Sequence, residues 1–130
     1  MALFNFGKKK STSAAAPDPA PVQPSFTLTV PHTKNFRGFK RIKLATYNDP
    51  YAEAGIKFVK GSDIKEVSFE EYIYEDTSPL MRVYADGNQI GTIWSNSWAE
   101  YYGKIKSGQC SKASVKFEDS GDVMLFVKLD

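Results

Sequence analysis

The chain has 130 residues, a length that suits one domain with a single core rather than two. Seventeen Lys and Arg stand against fifteen Asp and Glu, a net of +2 with the one His neutral. That average demands no polyanionic partner and signals no acidic disordered tail, while one Cys excludes an intramolecular disulfide and, with one His, cannot complete a Cys/His zinc cage.

Stability without covalent staples fits a reducing compartment, so the expected location is the cytoplasm. The first 25 residues, MALFNFGKKKSTSAAAPDPAPVQPS, carry four of the seven prolines and no periodicity that would bury a face. They read as a flexible leader, with Pro17, Pro19, Pro21 and Pro24 favouring extended polyproline-like geometry. The apolar start precedes Lys8, Lys9 and Lys10, the reverse of an export signal's order. Ala2 excludes the usual N-myristoylation pattern. Leu3, Phe4 and Phe6 form too short a segment for stable membrane insertion. The compact domain is expected over residues 26–130.

FTLTV at 26–30 alternates, with Phe26, Leu28 and Val30 on one face. RIKLATY at 41–47 and IKFVK at 56–60 also alternate, and EVSFEEYIY at 66–74 does so in part, so all four read as strands. LMRVYA, Asp86-Gly87-Asn88 and QIGTIW predict a hairpin spanning Leu80 to Trp94, because Asp-Gly takes the positive dihedrals of a tight turn at low cost. SNSWAEYYGKIKSG then changes period. Trp98, Tyr101, Tyr102 and Ile105 recur at spacings of three and four, a Ser or Asn at 95–97 caps the start, and Gly108 closes a helix beyond Lys104 and Lys106. Gly103 within it would allow close packing against the sheet. CSKASVKFED, Ser120-Gly121 and DVMLFVKLD predict a second hairpin, whose final strand is apolar enough to be central or buried on both faces. The expected fold is mainly β: a small antiparallel barrel, OB-like or SH3-like, with one or two packed helices.

The near-neutral total conceals a split. Residues 1–60 hold ten Lys or Arg and three acids, a local +7, and residues 61–130 hold seven and twelve, a local −5. Lys34, Arg37, Lys40, Arg41 and Lys43 follow one another with no acid between them, and Glu66, Glu70, Glu71, Glu75 and Asp76 form the opposite run. Such blocks either make patches of opposite sign or lie on adjacent strands and neutralise one another; the second arrangement is the expectation.

No catalytic set stands out. His32, next to a proline, reads as a surface or loop residue rather than a general base, and Cys110 as a small semi-buried filler rather than a nucleophile. Glu70, Glu71, Glu75 and Asp76 are close in sequence, but no D-x-D frame, H-E-x-x-H or glycine-rich phosphate loop accompanies them. The expectation is therefore a protein that is not an enzyme and takes no metal or cofactor. FRGFKRIK is more suggestive. It interleaves Phe36 and Phe39, with Tyr47 downstream, among basic residues, the pattern that phosphate contacts plus base stacking would use. The competing reading makes Phe36 and Phe39 core anchors beneath a solvated charged face. Trp98, Tyr101 and Tyr102 at helical spacing read as core rather than as platforms.

The stretch YIYEDTSPLMRVYADGNQIGTIWSNSWAEYYGKIKSG resembles the HIRAN domain: an acidic, proline-containing loop, a strand ending near a glycine turn, an I-G-x-I strand, and a helix carrying alanine and a closing glycine. The likeness covers roughly residues 64–115, about half the compact domain. It implies a small β barrel with packed helices that binds single-stranded DNA and recognises its 3′ end. Tyr74 and Asp76 match the family's loop tyrosine and aspartate, and Ile90-Gly91 its I-G pair. Taken together, residues and resemblance lead to an expected noncatalytic module for single-stranded nucleic acid. Arg37, Lys40, Arg41 and Lys43 would hold phosphates, Phe39, Tyr47, Tyr74 or Trp94 would stack on bases, and Asp76 would accept a hydrogen bond from a terminal hydroxyl. The alternative is a protein-interaction or structural module that offers a flat face or a sheet edge to a protein partner.

Overall fold

A computed structural model describes residues 26–73 and 78–130; the leader expected over 1–25, and Tyr74 and Asp76, lie outside the described residues. The elements in chain order are β1 (Phe26–Pro31), β2 (Lys40–Lys43), α1 (Pro50–Val59), β3 (Glu66–Tyr72), β4 (Leu80–Ala85), β5 (Asn88–Trp94), α2 (Ala99–Lys106), β6 (Cys110–Phe117) and β7 (Val123–Leu129).

Period-two alternation orients the strands. Val67 and Phe69 of β3 and Met81, Val83 and Ala85 of β4 turn inward, and Val123, Leu125 and Val127 of β7 meet them from the other side with Ile42 of β2. Each large side chain buried there stabilises the fold by roughly 1.5–3 kcal/mol relative to exposure. The strands form two antiparallel sheets, one of four in the order β1-β3-β4-β5 and one of three in the order β2-β7-β6. The final strand is central as expected, but only its inner face is fully buried, with Met124 and Phe126 half-covered on the other.

The expected β barrel is corrected to a mixed α/β fold of two sheets and two helices. Among the described residues, two isolated bridges join the sheets, His32 with Ala113 and Ala45 with Thr92. Edge strand β5 carries α1 against it in place of a partner strand along its length. That helix also corrects the strand expected at 56–60. Asp49 caps it by accepting from the Ala52 N–H at 3.0 Å, Pro50 opens it, and Ala52, Gly55 and Val59 are buried at helical spacing. The alternation of Ile56 and Phe58 is incidental to this period: Phe58 is 76 % exposed, where a strand would have buried it.

Both expected hairpins form. Asp86 and Gly87 have φ of 50° and 84°, the paired positive values of a tight hairpin turn between β4 and β5. Helix α2 forms where the aromatic period places it, with Tyr102 and Ile105 buried and Trp98 and Tyr101 packed against the core. Two details differ. Trp98 rather than a Ser or Asn occupies the N-cap, and it makes no side-chain capping bond. A Cβ on Gly103 would meet nothing within 4 Å, so this glycine makes no close approach to the sheet. Among the described residues no helix is long and apolar enough to cross a membrane.

Candidate binding surfaces

The basic run begins in a segment held away from regular structure by its own side chains. Thr33 Oγ1 accepts from the Asn35 N–H at 3.2 Å and Asn35 Oδ1 from the Arg37 N–H at 3.0 Å, the local bonds by which such residues replace a strand ladder. A turn follows, closed by the Phe39 N–H on the Phe36 carbonyl at 3.2 Å. Alternate residues of the segment then face opposite ways. Thr33, Asn35, Arg37 and Phe39 join Ser111, Lys112 and Lys128 around one cleft of about 340 Å³, while His32, Lys34 and Phe36 line another.

The outer face of the three-stranded sheet continues the first cleft. Register puts Arg41, Phe126 and Ser114 in one row and Lys43, Met124 and Lys116 in the next, while Lys112 stands directly opposite Lys128. Like charges so placed cost stability. Lys43 pairs with Asp122 at 3.6 Å and Lys116 with Glu118 at 3.8 Å, whereas Arg37, Arg41, Lys112 and Lys128 have no carboxylate partner among the described residues. The expected cancellation of charge blocks is therefore corrected. Lys34 reaches Asp63 at 3.8 Å, but Glu66, Glu70 and Glu71 stand on β3 in the other sheet.

Of the expected nucleic-acid residues, Arg37 and Phe39 line the cationic cleft, and Arg41 and Lys43 share the adjoining face. Lys40 has the parity of buried Ile42 and so points to the other side of β2. Tyr47 is 89 % exposed in the loop before α1, and Trp94, 40 % exposed, ends β5 opposite Leu80. The aromatics near the cations are already engaged: Phe36 stacks on Phe126 with centroids 4.4 Å apart, and the Lys128 ammonium sits 6.0 Å from the Phe39 ring centroid. The exposed rings of Tyr47 and Trp94 are not among the residues that line the cationic cleft. Sequence reasoning missed Lys112, Lys116 and Lys128, although the alternation of CSKASVKF and VMLFVKL would have put them on one face.

Helix α1 carries an exposed aromatic flank. Its buried flank is Ala52, Gly55 and Val59, its charged flank carries Glu53 and Lys57, and Tyr51, Ala54 and Phe58 share the remaining flank at i, i+3 and i+7. Tyr51 is 40 % exposed. Tyr47 precedes them by one helical turn in sequence. The helix is fixed from below, since Asp49 Oδ2 accepts from Gln89 Nε2 of β5 at 2.8 Å.

The remaining reactive groups are built into the fold. Glu70 and Glu71 point to opposite faces of β3, so they cannot work as an acid and base pair. Glu70 accepts from the Tyr72 hydroxyl at 3.2 Å, and fully buried Glu71 accepts from the Tyr102 hydroxyl at 2.7 Å and pairs with Lys106 at 3.2 Å. No group of three or more potential metal ligands occurs among the described residues. Cys110 is buried, and burial pushes its thiol up to about 11. At pH 8 the folded protein is expected to react with a thiol reagent at least a hundredfold slower than free cysteine, roughly the loss of thiolate that this shift implies. Labelling at the free-thiol rate would show that the start of β6 is open.

Searches against protein-family models, curated proteins and solved structures give no match. The likeness to the HIRAN domain thus stands on the residues quoted for it, two of which, Tyr74 and Asp76, lie outside the described residues.

Proposed function

We propose that the protein is a noncatalytic protein-interaction module that docks a partner through the aromatic flank of α1 and Tyr47. The observation that carries this reading is the exposure of Phe58 and Tyr47, 76 % and 89 %, beside a helix whose buried flank is locked on β5. Neither ring contributes burial to this chain's own core, whereas covering an aromatic side chain against a partner contributes about 1.5–3 kcal/mol. An exposed Phe58 on a helix surface suits insertion into an apolar groove of a partner. Phe58→Glu and Tyr47→Glu are expected to change folding stability by less than about 0.5 kcal/mol, as exposed sites do. The same variants should lose, at least tenfold, a stoichiometric protein that co-purifies with the full chain from its own cells. Retention of that protein by both variants would contradict the proposal.

A second reading rests on the unpaired cations. Arg37, Lys112 and Lys128 converge on a cleft with no acid among its lining residues, which supports binding of single-stranded nucleic acid through its phosphates. Fluorescence anisotropy with single-stranded, duplex and 3′-blocked oligonucleotides at two salt concentrations separates the readings. Salt-sensitive binding lost in Arg37→Ala, Lys112→Ala and Lys128→Ala favours the second. No binding at low salt removes it.

A further inference from the structure

The cationic cleft beside the 33–39 segment is lined by hydrogen-bond donors. Arg37, Lys112 and Lys128 bring three positive charges to it, and none of the described residues that line it is acidic. Its neutral side chains use their acceptors elsewhere. Thr33 Oγ1 accepts from the Asn35 N–H and Asn35 Oδ1 from the Arg37 N–H, which leaves the Thr33 hydroxyl proton and the Asn35 amide nitrogen to donate. A bulge adds one donor more. The β6–β7 register shifts between Cys110 and Lys112, so Ser111 and Lys112 are both exposed where strict alternation would have turned one of them inward.

The charges have no counterpart in the fold. Lys112 stands directly opposite Lys128, and neither has a carboxylate partner among the described residues, a placement that a bound anion would relieve. Phe39, the one ring among the described lining residues, already lies under the Lys128 ammonium at 6.0 Å, so a base has little to stack on. A phosphodiester also brings only one charge. A phosphorylated side chain carries about 1.5–2 negative charges near neutral pH and three acceptor oxygens, which matches a bounded cleft with three cations.

We infer that this cleft receives the phosphate of a phosphorylated side chain on a protein partner. Arg37 presents a planar fork to two phosphate oxygens, while Lys112 and Lys128 act as point charges. Arg41 extends the site. It pairs with Phe126, two residues from Lys128 on the same face, and so lies about 7 Å along the strands, within reach of an acidic residue that flanks the phosphate. That the carrier is a polypeptide rests on the protein-interaction reading of α1, although the cleft shares no residue with that helix.

The test is a titration of the full chain at low salt, where screening is weakest, followed by NMR at the Ser111 and Lys112 amides. The probes are the capped tripeptide Glu-phosphoserine-Glu, its unphosphorylated form, inorganic phosphate, and thymidylyl-thymidine, which presents one phosphodiester and two bases. The phosphopeptide should bind at least tenfold more tightly than the unphosphorylated peptide or the dinucleotide, and at least threefold more tightly than inorganic phosphate. Lys112→Ala should weaken it at least threefold. This change removes an exposed like charge, so Tm should hold or rise and the loss reports the site rather than the fold. Arg37→Lys keeps the charge without the fork and should also weaken binding at least threefold, and Arg41→Ala should remove the advantage over inorganic phosphate. Phe58→Glu should leave all of these values unchanged, so failure at this cleft and failure at the α1 flank are separate results. Equal binding of the unphosphorylated peptide, or an unchanged affinity in Lys112→Ala, would overturn the assignment. A dinucleotide that binds as tightly as the phosphopeptide would overturn it in favour of nucleic acid, and inorganic phosphate that does so would overturn it in favour of a free small phosphate.

Discussion

Replacing Gly55 with alanine should destabilise the protein by about 3 kcal/mol or more, beyond the ordinary range for an added core methyl. A Cβ there would lie 1.8 Å from the Gln89 carbonyl oxygen and 2.8 Å from its carbon. Those atoms are backbone of β5, so no side-chain rotation relieves the clash; α1 must lift from the sheet. Doing so also disturbs the Asp49–Gln89 bond and the burial of Ala52 and Val59. For a domain of this size the loss corresponds to a fall in Tm of more than about 10 °C. Gly103→Ala supplies a control of opposite sign. It lies within α2 with open space around the new methyl, so alanine should stabilise by about 0.5–1 kcal/mol. Denaturant melts of both variants measure the difference. Equal effects would show that α1 does not sit against β5 as described.

The second large effect is expected at buried Glu71. Tyr102→Phe removes the hydroxyl that donates to Glu71 Oε2 and should cost about 1.5–3 kcal/mol, the range for a hydrogen bond to a charged group. Lys106→Ala should cost less, under about 1 kcal/mol, because the Lys106 side chain is half exposed and its attraction is screened. The order of these two losses separates a buried hydrogen bond from a simple ion pair. Alkaline pH adds an independent check. Burial first, then the bond to Glu71 and its charge, raises the Tyr102 pKa above its ordinary value. Below about pH 10 the phenol is neutral in both folded and unfolded chains, and its contribution is complete. As pH rises beyond that value the unfolded tyrosine ionises while the folded one resists, so stability falls. Melts at pH 8 and pH 11 should therefore show the gap between wild type and Tyr102→Phe narrowing. A gap unchanged at pH 11 would contradict the bond.

The parts of the fold that were legible in sequence depend on local chemistry. Asp86-Gly87 supplies the two positive dihedrals of its turn, and Tyr102 and Ile105 mark a helical face whatever the tertiary context. Helix α1 was obscured because Ile56 and Phe58 also satisfy a period of two, though Asp49-Pro50 carries the start signal of a helix. Barrel closure was inferred from a strand tally. Whether neighbouring sheets join through ladders or through two isolated bridges depends on where α1 sits, which no strand pattern states. The charge split misled for a related reason. Lys112, Lys116 and Lys128 belong to the acidic half by sequence, yet they share a face with Arg41 and Lys43. The Phe36–Phe126 stack joins residues far apart in the chain and engages a ring that the sequence left open between base stacking and a core anchor. The cationic cleft is likewise a product of long-range packing, because Arg37 and Phe39 meet Lys112 of β6 and Lys128 of β7 there.

The flank of α1 is tested most directly by placing a photoreactive phenylalanine analogue at position 58, and in separate proteins at position 53 on the charged flank and position 128 in the cationic cleft. The full chain is cross-linked in its own cells, and half of each sample is treated with nuclease. Position 58 should give a discrete protein adduct that survives nuclease, and position 53 should not. No adduct at 58, together with a nuclease-sensitive adduct at 128, would contradict the protein-interaction account and transfer the function to the cationic face.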